Sequence, residues 1–146
     1  MFQYRKITMD SITHAQFRQI VEIAAEADED PFTEEMLNDC IENLYTVACL
    51  DGDTVLGYVV VNPNSKKYFG GCLYIVDIIV RHENRRQGIG EKLLKTALSA
   101  FPQSSKLALD VEINNAGAIA LYQKLGFRKT DILTENLGEY MVMAKE

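Results

Sequence analysis

The sequence predicts an α/β (α+β) fold, with about seven strands and about four helices around a mixed sheet. Two interleaved periodicities carry that expectation. Apolar residues recur at helical spacing in four segments and alternate or run together in the segments between them. A third observation is a join. The apolar run CLYIVDIIV leads into NRRQGIGEKLL, where a glycine pair precedes an abrupt helical pattern. A chain of 146 residues is expected to form a single domain, residues 1–146, with one core.

In chain order, Phe2–Thr8 reads as a strand. From Thr13 to Ala27, Phe17, Ile20, Val21 and Ala24 lie on one helical face. Asp30-Pro31 breaks the chain. Thr33 then caps a second helix, with Glu34 and Glu35 in the first turn, where the helix dipole favours them. Leu37, Cys40, Ile41 and Leu44 form its apolar stripe. Tyr45–Leu50 and Thr54–Val61 make a hairpin about the turn signal Asp51-Gly52-Asp53. Asn62–Gly71 has loop composition, and Cys72–Val80 fits a buried central strand. Ile89, Leu93, Leu94, Ala97, Leu98 and Phe101 give a helix ending before Pro102. Lys106–Ile113 alternates as a strand. A helix starting at Asn114-Asn115 stops at Gly126, and Phe127–Leu133 with Glu139–Ala144 make a last antiparallel pair.

Composition narrows the function classes. The net charge of −6 opposes broad nucleic-acid binding, which depends on neutralising phosphates. It weakly favours a cationic small partner through steering, and acidity that serves solubility is the favoured reading. No apolar run approaches a membrane span, and MFQYRKITMD has no long apolar stretch of the kind a signal peptide carries, so a cytoplasmic protein is expected. Cys40, Cys49 and Cys72 are odd in number, widely spaced and set among apolar residues. They are expected to be reduced, buried thiols and not a disulfide frame or a metal site.

The join has the geometry for holding phosphate. First-turn N–H groups of a helix lack intrahelical partners, and Gly88 and Gly90 permit close approach to the backbone. Arg85 and Arg86 add positive charge. The stretch lacks GxxxxGK[ST], and Leu93 stands where a dinucleotide fingerprint needs its third glycine, so neither standard nucleotide motif is present. On these residues alone, a tight strand-to-helix turn that binds nothing is an equal reading.

Arg85-Arg86-Gln87-Gly88-Ile89-Gly90 resembles the R/Q-x-x-G-x-G/A signature of the GCN5-related N-acetyltransferase (GNAT) superfamily, and it follows the apolar strand ending Ile78-Ile79-Val80. Further on, NAGAIALYQKLGF (Asn115–Phe127) is similar to that family's second signature, N-x-x-A-x-x-L-Y-x-K-x-G-F. The resemblance is specific from Leu73 to Phe127. It implies a GNAT-like, mostly antiparallel sheet whose central strands splay to hold acetyl-CoA as co-substrate, with no metal. Backbone N–H groups of Arg86, Gln87, Gly88, Ile89, Gly90 and Glu91, beside Arg85, would hold the pyrophosphate. Ile78, Ile79 and Val80 would pair through their backbone with the pantetheine arm. A main-chain N–H near Ile78 or Ile79 would be the oxyanion donor.

The resemblance implies acetyl transfer from acetyl-CoA to a primary amine, with direct attack in a ternary complex. This chemistry needs a neutral amine, donors for the oxyanion and a proton for the departing thiolate. Tyr122 matches the family's general acid; it also lies on the apolar stripe of its helix and fits core packing. Asn115 matches the cofactor-contacting asparagine and is also a preferred helix N-cap, with Asn114 competing for either role. Asp77 is the one carboxylate in CLYIVDIIV. Burial would raise its pKa toward that of a useful base, while an outward or structurally paired Asp77 is an equal reading. Glu112 and water alone are further candidates for the base. His14 and His82 read as surface residues, and Lys66-Lys67 as a solvated loop.

The acceptor site implied by the family falls on residues 24–44 and 130–143. The first segment carries Glu26, Asp28, Glu29, Asp30, Glu34, Glu35 and Asp39. That acidity could draw a cationic amine or simply solvate helix faces. Tyr140 fits either a pocket lining or packing. A small-molecule amine is the favoured acceptor; a protein N-terminus or lysine, and a non-catalytic acyl-CoA-binding module, are the alternatives. The family often dimerises, and no residue pattern here decides it.

Overall fold

The computed structural model describes residues 1–27, 31–135 and 138–146. The elements are β1 (Gln3–Ile7), α1 (His14–Ala27), α2 (Glu34–Asn43), β2 (Tyr45–Asp51), β3 (Thr54–Ser65), β4 (Cys72–Val80), α3 (Ile89–Ser99), β5 (Leu107–Glu112), α4 (Ala116–Lys124), β6 (Arg128–Glu135) and β7 (Gly138–Lys145). Short 3₁₀ turns occupy Met9–Ser11 and His82–Asn84. Hydrogen-bonded neighbours run β1-β2-β3-β4-β5-β7-β6. The β1–β2, β2–β3, β5–β7 and β6–β7 pairs are antiparallel, and β4–β5 is parallel. The expected mixed, mostly antiparallel sheet with four helices is what the chain forms. The break expected at Asp30-Pro31 lies partly outside the described residues.

Contacts divide the chain into two compact units, residues 1–62 with 76–102 and residues 63–75 with 103–146. In the first unit, α1 starts with a reciprocal cap. The Gln16 N–H donates to Thr13 Oγ1 at 3.0 Å, and the Thr13 N–H to Gln16 Oε1 at 2.9 Å. The helix buries Phe17, Ile20, Ile23 and Ala24 against Leu37 and Ile41 of α2 and against Val55, Tyr58 and Val60 of β3. Thr33 caps α2 as expected, its hydroxyl accepting from the Met36 N–H at 3.1 Å. Helix α3 buries Ile89, Leu93, Leu94 and Ala97.

The second unit holds the start of β4 together with β5, α4, β6 and β7. β5 pairs with β7 from Leu107–Lys145 to Glu112–Tyr140. Its parallel pairing with β4 covers only Leu73–Leu107 and Tyr74–Ala108, although β4 runs on to Val80 and β5 to Glu112. β3 differs from expectation. The Asn and Pro content of Asn62–Ser65 points to a loop, yet the strand continues to Ser65, which is buried. Pairing with a neighbouring strand outweighs a local turn composition. Among the described residues, no helix is long and apolar enough to cross a membrane.

Candidate functional site

In the first unit, the end of β4 is fixed by three contacts. The Arg81 N–H donates to the Leu56 carbonyl at 2.8 Å and its Nε to the Val55 carbonyl at 2.6 Å. Its guanidinium also donates to Gln19 Oε1 at 3.2 Å, which ties β4 to α1. Gly57 supplies the close approach. A Cβ there would stand 2.8 Å from the Ile79 carbonyl oxygen and 3.1 Å from Val80 Cα. Sequence reasoning passes over Gly57, although a glycine inside a strand is the usual sign of a backbone held close by. Ile78, Ile79 and Val80 are each half-buried, unlike Leu73 and Ile75 earlier in the strand.

Beyond β4 the chain turns sharply. Arg86 has φ 65° and Gly88 has φ 78°, and Gly88 is the N-cap of α3. A left-handed conformation costs a non-glycine residue about 1–2 kcal/mol, so Arg86 is a strained position of the kind that collects at ligand clamps. Around Gly88, a Cβ would meet nothing within 4 Å. The glycine therefore leaves open space at the helix start and is not demanded by internal packing. The first intrahelical bond here runs from the Lys92 N–H to the Gly88 carbonyl at 3.1 Å. The Ile89 and Gly90 N–H groups lie ahead of it, at the positive end of the helix dipole. Arg85, Arg86 and Gln87 are exposed, and Arg85 Nε donates back to the Val80 carbonyl at 3.2 Å. Glu91 is half-buried in the first turn and pairs with Lys95 at 3.1 Å. A cleft of about 200 Å³ lies beside the hinge, lined by Ile23 and Glu26 of α1, Ile79 and Val80 of β4, and His82 and Arg85.

Asp77 is half-buried and faces the core. Its Oδ2 accepts from the Tyr58 hydroxyl at 3.0 Å. Tyr58 is wholly buried in the core formed with α1 and α2, so Asp77 lies on that side of the sheet. Burial, and then the Asp77 charge, push the Tyr58 phenol far up, so it stays a donor. The same surroundings push the Cys40 thiol up to about 11, by burial first and then by Asp39 and Asp77. All three cysteines are free and buried, as the sequence predicts.

In the second unit, Asn115 is the N-cap of α4; its side chain accepts from the Ala118 N–H at 3.1 Å. Tyr122 is buried on that helix, with its ring edge-on to Phe127 at 6.0 Å. Gly126, at φ 97°, ends the motif where a Cβ would press on Lys145 Cε at 3.1 Å. Tyr122 and Asn115 thus share one short helix, and both have the structural roles weighed for them. Glu112 is exposed at the end of β5.

A cluster near the β4–β5 ladder escapes sequence reasoning. Asp110 Oδ2 accepts from Lys67 Nζ at 2.9 Å, Tyr68 Oη at 2.8 Å and Tyr74 Oη at 2.9 Å. Lys67 is exposed in the loop before β4, as expected, and its ion pair with Asp110 is the part that sequence reasoning misses. The signal available in sequence is the tyrosine density of KKYFGGCLY, without any pointer to Asp110.

The acidic acceptor segment is spread out. Glu26 lines the cleft, Glu34 pairs with Arg18 at 2.6 Å and Asp39 accepts from Asn43 Nδ2 at 2.6 Å. Asp28, Glu29 and Asp30 lie outside the described residues. His14 and His82 are exposed, as expected.

Comparison with known proteins bears on the whole arrangement. The model of the acetyltransferase (GNAT) family matches residues 9–127. Among relatives, an N-alpha-acetyltransferase of Sulfurisphaera tokodaii is 32% identical over 104 residues, covering 63% of this chain and 60% of the relative. N-alpha-acetyltransferase 30 of Schizosaccharomyces pombe is 22% identical over 125 residues, covering 83% of each. The matches to the Sulfurisphaera and Saccharolobus relatives span 60% and 38% of those proteins' length, under two thirds. The ribosomal-protein-S18-alanine N-acetyltransferase of Escherichia coli superposes with a TM-score of 0.80 at 20% identity, over 99% of this chain and 92% of that one. NAA60 of Arabidopsis thaliana, solved with acetyl-CoA, gives 0.79 at 18% identity, over 99% and 98%. The hinge after β4, the short β4–β5 ladder and the family match over residues 9–127 agree, and the chain belongs to the acetyltransferase (GNAT) family.

Proposed function

We propose that this chain transfers an acetyl group from acetyl-CoA to an amine, and that the amine is the α-amino group of a peptide or protein N-terminus. The observation that carries the cofactor is the hinge. An open Gly88 N-cap, a strained Arg86 and its neighbour Arg85 precede a helix whose first N–H groups suit a pyrophosphate. In this reading Ile78, Ile79 and Val80 pair with the pantetheine arm as an added strand, and Arg85 to Glu91 hold the diphosphate. Their half-exposed state and the end of the β4–β5 ladder at Tyr74 support that assignment.

Chemically, Tyr122 donates the proton to the departing thiolate and Asp77 is the candidate base. The Tyr58 hydrogen bond holds the Asp77 carboxylate on the α1–α2 side of the sheet, where the cleft opens. Asn115 would contact the cofactor while capping α4. A small-molecule acceptor is the sequence-based expectation. The names of the curated relatives, N-alpha-acetyltransferases, favour a peptide α-amine instead.

Two measurements test this. Titration calorimetry with acetyl-CoA is expected to show micromolar affinity, and a ligand at about 100 times its dissociation constant adds about 2.7 kcal/mol to folded-state stability. Thiol release is then followed with a panel of short peptides and a panel of small amines. Turnover only on small amines would overturn the α-amine assignment; absence of acetyl-CoA binding by folded protein would overturn the cofactor.

A further inference from the structure

Gln19 is a half-buried polar residue on α1 that the chemistry above does not use. Its side-chain amide joins that helix to three other parts of the first unit. Oε1 accepts from the Val55 N–H at 2.8 Å, at the start of β3, and from the Arg81 guanidinium at 3.2 Å, just past the end of β4. Nε2 donates to the Asp53 carbonyl at 3.3 Å, in the turn before β3. One oxygen that accepts two hydrogen bonds, the second from a charged donor, fixes both partners and its own rotamer.

Arg81 is the residue at which β4 gives way to the hinge. Its N–H donates to the Leu56 carbonyl at 2.8 Å and its Nε to the Val55 carbonyl at 2.6 Å. Its own carbonyl accepts from the Asn84 N–H at 2.9 Å, which closes the 3₁₀ turn His82–Asn84 that leads to Arg85. Arg85 Nε returns to the Val80 carbonyl at 3.2 Å. The end of β4, the start of the hinge and α1 are thus held by one connected set of bonds. Gln19 also shares a helical face with Ile23, Glu26 and Ala27, which line the cleft together with Ile79 and Val80.

We propose that Gln19 is a positioning residue for acetyl-CoA. Acting through Arg81, it holds the end of β4 and the start of the hinge in the conformation that takes the cofactor. The inference rests on the acetyl-CoA reading given above, in which Ile78, Ile79 and Val80 pair with the pantetheine arm and Arg85 to Glu91 hold the diphosphate. A backbone that is already fixed spares the ligand the cost of ordering it, so loss of the brace weakens binding. Positive charge alone is not enough at position 81. The planar guanidinium sends Nε to one carbonyl and a terminal N–H to Gln19, a pair of contacts that an ammonium does not reproduce.

The test is acetyl-CoA titration calorimetry on variants of both residues, with urea midpoints measured alongside. Gln19→Met keeps a strong helix former of similar length and accepts no hydrogen bond from Val55 or Arg81. It should raise the Kd for acetyl-CoA about tenfold. Gln19→Glu keeps an acceptor for both donors and gives up only the long, exposed bond to the Asp53 carbonyl. It should bind within about twofold of wild type. Arg81→Lys keeps the charge and should lose about as much affinity as Gln19→Met. Gln19→Met combined with Arg81→Lys should lose no more than either alone, because the two residues act as one unit. An unchanged Kd in Gln19→Met, whatever its urea midpoint, would make the brace purely structural and overturn the proposal. Wild-type affinity in Arg81→Lys, a loss in Gln19→Glu equal to that in Gln19→Met, or additive losses in the double variant would each overturn it too. The contrast between Gln19→Glu and Arg81→Lys decides the matter even where Gln19→Met does not fold. All these outcomes leave the acetyl-CoA reading standing, because the wild-type chain still binds; absence of binding by folded wild type overturns that reading and this inference with it.

Discussion

Tyr122 and Asp77 separate packing from chemistry at the level of single atoms. The Tyr122 ring is buried and edge-on to Phe127, so Tyr122→Phe keeps nearly all its contacts and removes one oxygen. Acetyl-CoA affinity and melting temperature should stay close to wild type while turnover falls about 10²-fold or more, the scale of a lost general acid. Unchanged turnover across pH, measured by thiol release, would show that the phenol only packs. For Asp77, the Tyr58 hydroxyl donates to Oδ2, and the amide oxygen introduced by Asp77→Asn could still accept that bond. Asp77→Asn therefore should fold and bind acetyl-CoA. If Asp77 is the base, the variant loses turnover and the acid limb of its pH–rate profile. A retained acid limb would move the role to another group or to water. Asn115 is a simpler case. Its cap on the Ala118 N–H predicts that Asn115→Ala lowers stability by about 1 kcal/mol in denaturant titration.

At the level of elements, the hinge after β4 depends on glycines used in two different ways. Gly88 has positive φ and open space where its Cβ would be; Gly57 has backbone of β4 in that place. The Cβ of Gly88→Val thus meets no neighbour within 4 Å, but the side chain strains the N-cap and fills the approach to the first turn of α3. It should remain folded, somewhat destabilised, and lose acetyl-CoA binding by calorimetry. Normal affinity would refute the loop assignment. Gly57→Ala should instead move the Ile79–Val80 backbone and weaken both stability and binding. These two glycines also show what is legible in a sequence. Gly88 announces itself through its neighbours Arg85, Arg86 and Gly90, because consecutive residues make a motif. Gly57 acts on Ile79 and Val80, distant in the chain, and Asp110 gathers Lys67 and Tyr68 from the loop before β4 and Tyr74 from β4, the strand paired with its own. Only strand register brings such groups together, and periodicity does not give register. Local signals do give the helices, through Thr33, Asn115 and Gly126, whereas the Asn-Pro composition after Val61 conceals the last residues of β3.

For the molecule as a whole, the buried acidic groups with raised pKa values set an alkaline limit. Burial pushes Cys40 up to about 11 from its ordinary 9.0 and Tyr4 up to about 12 from 10.0, and it raises Cys49 and Cys72 as well. The unfolded chain loses these protons at their ordinary values, while the folded chain keeps them. Below the ordinary thiol value of 9.0, both states are protonated and the groups contribute their full stability. Above it, the unfolded state binds fewer protons, so stability falls with each rise in pH. The fall begins near 9.0, where unfolded thiols ionise, and the Cys40 contribution continues to about 11. Denaturation midpoints measured from neutral pH through this window should stay flat and then decline, provided the slope of the transition is constant. Cys40→Ala removes one of the groups. The variant should start from a lower midpoint because of the cavity it leaves, and then lose stability less steeply with pH. An equally steep decline in the variant would assign the alkaline limit to the remaining thiols and tyrosines.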